Sequence, residues 1–151
     1  MTNTKPTFIA IDPDDDFAEY CGTTKTGYQF FLTTLFDDEP EDSEGCNYIA
    51  LFIFGKRGIV IEEKTIIEKM GPNSEKSAEQ IKTRFNQLLQ ALGEVSFCRI
   101  NIVPFAIKKF ETEFGFIARE AEDDDDIWSV ELMPGMSMAF YEPWDSGEYD
   151  S

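Results

Sequence analysis

Seven consecutive uncharged residues, Tyr48 to Phe54, constrain the fold of this chain more than any other stretch. Ile49, Leu51 and Ile53 alternate with Ala50, Phe52 and Phe54, so a strand built from them is apolar on both faces and must be covered on both. That predicts a central strand. Gly55-Lys56-Arg57-Gly58 follows, and Ile59, Val60 and Ile61 resume the β-branched pattern, which predicts a hairpin over residues 47–63. Lys56 and Arg57 read as its solvated tip, with a basic anion-binding loop as the functional alternative.

One long helix is predicted near residues 75–92. Ala78, Ile81, Phe85, Leu88, Leu89 and Leu92 recur every three or four residues as a single stripe, Ser74 or Ser77 can cap the start, and Gly93 supplies the stop. Glu79, Lys82, Arg84, Gln87 and Gln90 cover the other face. Strands are expected at Tyr28 to Phe36, Phe97 to Ile102 and Glu113 to Glu120, and Phe8 to Ile11 reads as a short strand or an ordered arm. A second hairpin is expected from Ile127 to Tyr141 around Met133-Pro134-Gly135-Met136, whose Pro-Gly order fits a type II turn. Asp14 to Tyr20 reads as one helical turn ending at Cys21-Gly22, and Lys64 to Met70 as either a strand extension or a connector. Strands, one helix and strands again, joined by short connections, predict an α+β fold, a mainly antiparallel sheet with the helix on one face. Residues 1–142 form one domain in this reading, and 143–151 an acidic tail that is mobile unless Trp144 anchors it.

Charge is the other strong signal. The chain carries 13 basic and 30 acidic side chains, a net charge of -17, and the excess falls in four clusters: Asp12 to Glu19, Asp37 to Glu44, Glu120 to Asp126 and Glu142 to Asp150. Residues 47–100 are slightly basic. Such a distribution repels nucleic acid and anionic membranes and speeds association with a basic partner. No run is long enough to span a membrane and the first residues lack a signal-peptide core, so a cytoplasmic location is expected. Cys21, Cys46 and Cys98 are odd in number and widely spaced, which fits reduced, buried thiols better than a disulfide framework or a zinc site.

Histidine is absent, which removes the commonest general base and transition-metal ligand. No phosphate-binding glycine loop, nucleophile elbow or dinucleotide fingerprint occurs, so neither a cofactor nor catalysis is expected. Asp12, Asp14 and Asp16 are the weak metal candidates, able to offer hard oxygen ligands to magnesium or calcium, although an EF-hand would need glycine at Phe17 and glutamate at Thr23. Ile11-Asp12-Pro13-Asp14 resembles the opening motif of the aspartate-nucleophile phosphatases, which implies a divalent-metal-dependent phosphohydrolase. That family's fold needs alternating strands and helices, and only one helix is predicted here.

The leading expectation is therefore a non-enzymatic acidic binding protein that docks a basic partner, a nucleic-acid-handling protein or a toxin, as an inhibitor, nucleic-acid mimic or immunity protein. Its contact residues would be Asp37, Asp38, Glu39, Glu41, Asp42 and Glu44 in one cluster, Glu120, Glu122, Asp123, Asp124, Asp125 and Asp126 in another, and Trp144 as an aromatic anchor. A structural or chaperone-like homodimer using Met133, Met136 and Met138 is the second expectation, and the metal enzyme the third.

Overall fold

Both apolar faces of the central strand are covered, one by a helix and the other by further sheet. The computed structural model describes residues 8–13, 20–37, 45–72, 74–110, 112–119, 129–134, 139–140 and 149–150. In chain order these form β1 (Ile9–Ile11), β2 (Tyr20–Thr24), β3 (Gln29–Asp37), β4 (Cys46–Phe54), a 3-10 turn (Glu62–Lys64) and β5 (Ile66–Gly71). The helix α1 (Glu75–Ala91) follows, then β6 (Val95–Phe97), β7 (Ile100–Ile102), β8 (Ile107–Lys109), β9 (Thr112–Arg119), β10 (Ser129–Met133), β11 (Ala139–Phe140) and β12 (Tyr149–Asp150). The fold is α+β, with every strand pair antiparallel.

The first sheet has the order β5-β4-β3-β2-β6 and the second the order β12-β11-β10-β9-β8, while β1 and β7 form a separate pair. Side-chain alternation along β4 sends Tyr48, Ala50, Phe52 and Phe54 into one core, with Ile9, Ile11, Phe31, Ile100, Ile102, Phe114, Phe116, Val130 and Leu132 from the other strands. Ile49, Leu51 and Ile53 enter a second core beneath α1, with Phe30, Leu32 and Leu88. The expected central strand is thus the interior strand of a sheet with a layer on each side.

Ser74 caps α1 by accepting the Ser77 N–H, and Gly93 follows the helix at φ +76. Ile81, Phe85, Leu88, Leu89 and Leu92 pack on the sheet as the stripe predicts. Ala78 is exposed instead. Among the described residues no helix is long and apolar enough to cross a membrane.

Three expectations change. The first hairpin exists, but β4 pairs with Ile66–Gly71, and residues 59–61 keep the bridge between Phe54 and Val60, the bond from Gly55 N–H to the Ile59 carbonyl and that from Ile61 N–H to the Ile53 carbonyl. Glu62–Lys64 turns aside between them, and the Thr65 hydroxyl fills the gap by accepting the Ile53 N–H and donating to the Ile61 carbonyl. Second, the alternating run from Phe97 to Ile102 is not one strand. It breaks at Cys98 and Arg99, with β6 paired to β2 and β7 to β1. Third, Tyr20–Thr24 is a strand where a helix end was expected. Gly22 stops no helix; a Cβ there would overlap the Ser96 carbonyl of β6, so the close approach of two backbones requires glycine.

The second hairpin forms between β10 and β11, with a cis peptide between Met133 and Pro134; its remaining turn residues lie outside the described ones. In the acidic tail, Tyr149–Asp150 returns to pair with β11.

Candidate functional site: where the acidic segments are anchored

The described framework is close to charge-balanced. Of the 30 acidic side chains 11 stand on described residues, together with 12 of the 13 basic ones; the other 19 acids and one lysine fall outside. Eighteen of those 19 fall in four segments: 38–44, 120–128 and 141–148, which join paired strands, and 14–19, which leads from β1 to β2, strands that pair with other partners.

The strand registers place the anchors of three of these segments in two groups. Asp37 at the end of β3 pairs with Cys46 at the start of β4, and residues 38–44 lie between them. Tyr20, which follows residues 14–19, pairs with Leu32, five residues along β3 from Asp37 and three from Gln29, so this segment is anchored away from the 37/46 end. In the second sheet Arg119 pairs with Ser129 around residues 120–128, and Phe140 pairs with both Val130 and Tyr149 around residues 141–148. These ends are far from Asp37. Thr112, at the opposite end of β9 from Arg119, contacts Asp37, and eight extended residues span roughly 23 Å at about 3.3 Å per residue. That exceeds twice the Debye length of about 10 Å at 0.1 M salt. Segment 38–44 and the pair 120–128 and 141–148 are therefore anchored at two poles.

Opposite the first pole, the same sheet ends in a rim of mixed charge, where Lys25 meets Glu94 and Lys64 follows Glu62 and Glu63. The turn Lys25-Thr26-Gly27 abuts the Lys56 side chain, Arg57 is exposed beside it, and the Lys64 ammonium lies 5.2 Å from the centre of the Tyr28 ring. Gly58 holds this second turn at φ +84 against β7, where a Cβ would overlap the Asn101 carbonyl.

Asp37 departs from its expected role as a surface contact. It is 8 % exposed and accepts a hydrogen bond from Thr112 Oγ1 at 3.4 Å, because β3 runs one residue past Phe36 and draws it into the ladder. Beside it, burial pushes the Tyr48 phenol above its ordinary pKa, a hydrogen bond with Thr112 opposes the shift, and Cys46 and Asp37 add to it. Cys46, Asp37, Tyr48 and Thr112 thus make a buried polar junction that ties the 37/46 end of the first sheet to the start of β9. Nothing in the residue pattern marked Asp37 off from the run that follows it.

Asp12 is likewise committed. Arg99 grips it with two bonds, Nε to Oδ1 at 2.7 Å and Nη2 to Oδ2 at 2.9 Å, and the guanidinium holds this carboxyl below the usual range. The pair joins the end of β1 to the start of β7, a cross-strand role invisible in a run of aspartates. Asp14 and Asp16 lie outside the described residues, as do Asp38, Glu39, Glu41, Asp42, Glu44, Glu120, Glu122, Asp123, Asp124, Asp125, Asp126 and Trp144. Among the described residues no group of three cysteine or carboxylate side chains is placed to hold a metal ion. Cys21 and Cys46 are buried free thiols and Cys98 is partly exposed.

An open groove of about 390 Å³ runs along β2 and β6, lined by Thr23, Thr24, Lys25, Glu94, Val95 and Ser96. Its only charges are the exposed Lys25 and Glu94, 3.7 Å apart. Such a lining offers hydrogen bonds but no desolvated acid or base. Comparison with protein-family models, with curated proteins and with solved structures finds no match to this chain.

Proposed function

We propose that this chain is a non-enzymatic binding protein whose acidic segments dock a basic protein, as an inhibitor, nucleic-acid mimic or immunity factor does. The observation that carries this reading is the separation of charge along the chain: four segments between strands hold 18 of the 30 acids and no base, while the rest is balanced at 12 acids to 13 bases. Acids added only for solubility work when dispersed over a surface among bases. Packing three to six into one connecting segment makes them repel one another, and that cost is offset when a cationic surface docks there. Two poles suit a partner with two basic patches, or two partners.

A tagged pull-down from the native host's lysate, with nuclease treatment and a salt series, tests it. A basic protein should be recovered and should elute as salt rises. With that partner in hand, reversing Asp38, Glu39, Glu41 and Asp42 to lysine, and leaving the buried Asp37 alone, should slow association at low salt by tenfold or more while the unfolding temperature stays the same. An association rate indifferent both to salt and to reversal of either pole would sink the reading.

A further inference from the structure

The two edges of the first sheet differ in how they are protected. At β5 the Lys109 ammonium from β8 donates to the Ile67 carbonyl at 2.9 Å, and the strand carries Glu68 and Lys69. Charged, capped edges of this kind resist pairing with another strand. At β6 the edge reads Val95-Ser96-Phe97, with no charge, and no described strand pairs on its outer side.

Register fixes which groups face outward there. Lys25 N–H donates to the Glu94 carbonyl and Cys98 N–H to the Cys21 carbonyl, so residues 94, 96 and 98 direct their bonds inward to β2. Val95 and Phe97 then direct N–H and C=O outward. Phe97 is 51 % exposed although its ring meets Tyr20 and Phe30 edge to face, and Tyr20 in turn meets Phe85, an aromatic cluster that ends at this edge.

We propose that β6 is the interface of a homodimer, in which two copies pair antiparallel about a two-fold axis at Ser96. Val95 of each copy then faces Phe97 of the other, four backbone hydrogen bonds form, and the two five-stranded sheets become one of ten. A second copy fits because the edge is uncharged and its outward groups are symmetric about Ser96, so it complements its own image. The near-neutral framework permits the approach. So short an edge places the interface at the small, transient end of the range, and the dimer is weak and concentration-dependent. Net charge of like sign opposes it, so added salt strengthens it, the reverse of docking to a basic partner. The two readings therefore stand or fall separately.

The test is sedimentation of the full chain over a concentration series at low and high salt, alongside hydrogen exchange of the Val95 and Phe97 amides. Mass should rise from one chain toward two with concentration, rise further with salt, and be matched by slowing exchange at those two amides. Ser96 is exposed and meets its counterpart at the axis, so Ser96→Lys sets two ammonium groups face to face and should restore the single-chain mass at an unchanged unfolding temperature. A single-chain mass at every concentration overturns the proposal. So does a dimer in which the Val95 and Phe97 amides exchange freely, a reading that needs no variant.

Discussion

The two faces of the first sheet are buried to different degrees. Toward the second sheet, Phe31, Phe52, Phe54, Phe114 and Phe116 are fully enclosed; tilted and edge-to-face ring contacts link Phe31, Phe52, Phe54 and Phe116, several through Phe105, and Phe114 meets Tyr48 edge to face. Toward α1, the sheet contributes fully buried Phe30 and Ile49, but of the helix stripe only Leu88 is buried, while Ile81, Phe85, Leu89 and Leu92 remain partly exposed. A helix about 10 Å wide covers part of a five-stranded sheet, whereas a second sheet matches it in width. The aromatic face therefore holds the molecule together, and the helix face is the looser layer.

The largest effect should come from the closed face. Phe52→Ala removes a ring packed between Phe105 and Phe116 with no route for water to fill the space, and should lower unfolding free energy by about 3–5 kcal/mol in denaturant titration. Phe85→Ala on the helix should cost clearly less, since its ring is already partly in water. Equal losses at the two positions would remove the distinction between the faces.

A polar link holds the closed face at the 29/54 end. The Gln29 amide donates to the Gly55 and Asn101 carbonyls at 3.0 and 3.1 Å and accepts the Asn101 N–H at 2.8 Å, tying β3 to the turn after β4 and to β7. Gln29→Leu strands three backbone groups at a site where Gln29 itself is 9 % exposed, and should cost about 1–3 kcal/mol by the same titration. A neutral result would mean that the turn at 55–58 is held by its own bonds, Gly58 N–H to the Gly55 carbonyl and Gly55 N–H to the Ile59 carbonyl, with that from Val103 N–H to the Gly58 carbonyl.

What could be read from the residues follows the same division. A strand apolar on both faces and a helix with one stripe are local periodic patterns, and both were legible. Gln29, Gly22 and the break at Cys98 and Arg99 were not, because each depends on a strand distant in sequence. Gln29 serves residues 55 and 101, Gly22 makes way for Ser96, and the alternation from 97 to 102 carries no mark of passing between sheets. For the acidic segments, the charges were legible and their grouping was not, since it is set by the pairings of Asp37 with Cys46 and Arg119 with Ser129. Asp12 and Asp37 looked like members of acidic runs and are instead joined to Arg99 and Thr112 across the fold.

The smallest effect concerns how the looser layer is clamped. Arg84 on α1 donates to Glu68 on β5 through Nε at 2.6 Å and Nη2 at 2.7 Å, and that hydrogen bonding holds the Glu68 carboxyl below its ordinary range against a partial opposing effect of burial. A carboxyl whose folded pKa is depressed adds stability that is fully present above its unfolded value, near 4.3 for glutamate, and is lost as pH falls through the folded value. Both partners are about one-third exposed, so the pair is worth no more than about 1 kcal/mol at neutral pH. Glu68→Gln should remove that amount and flatten the acid limb of the stability curve. Asp12→Asn should flatten it in the same sense, since Arg99 depresses that carboxyl too. The two differ in where the loosening is felt. If the helix face is the weaker layer, hydrogen exchange in Glu68→Gln should quicken along α1 and leave the β4 amides untouched, because sub-global opening follows the least-buried unit. Exchange that quickened equally in α1 and β4 would show the clamp acting on the whole molecule, and the two faces opening as one.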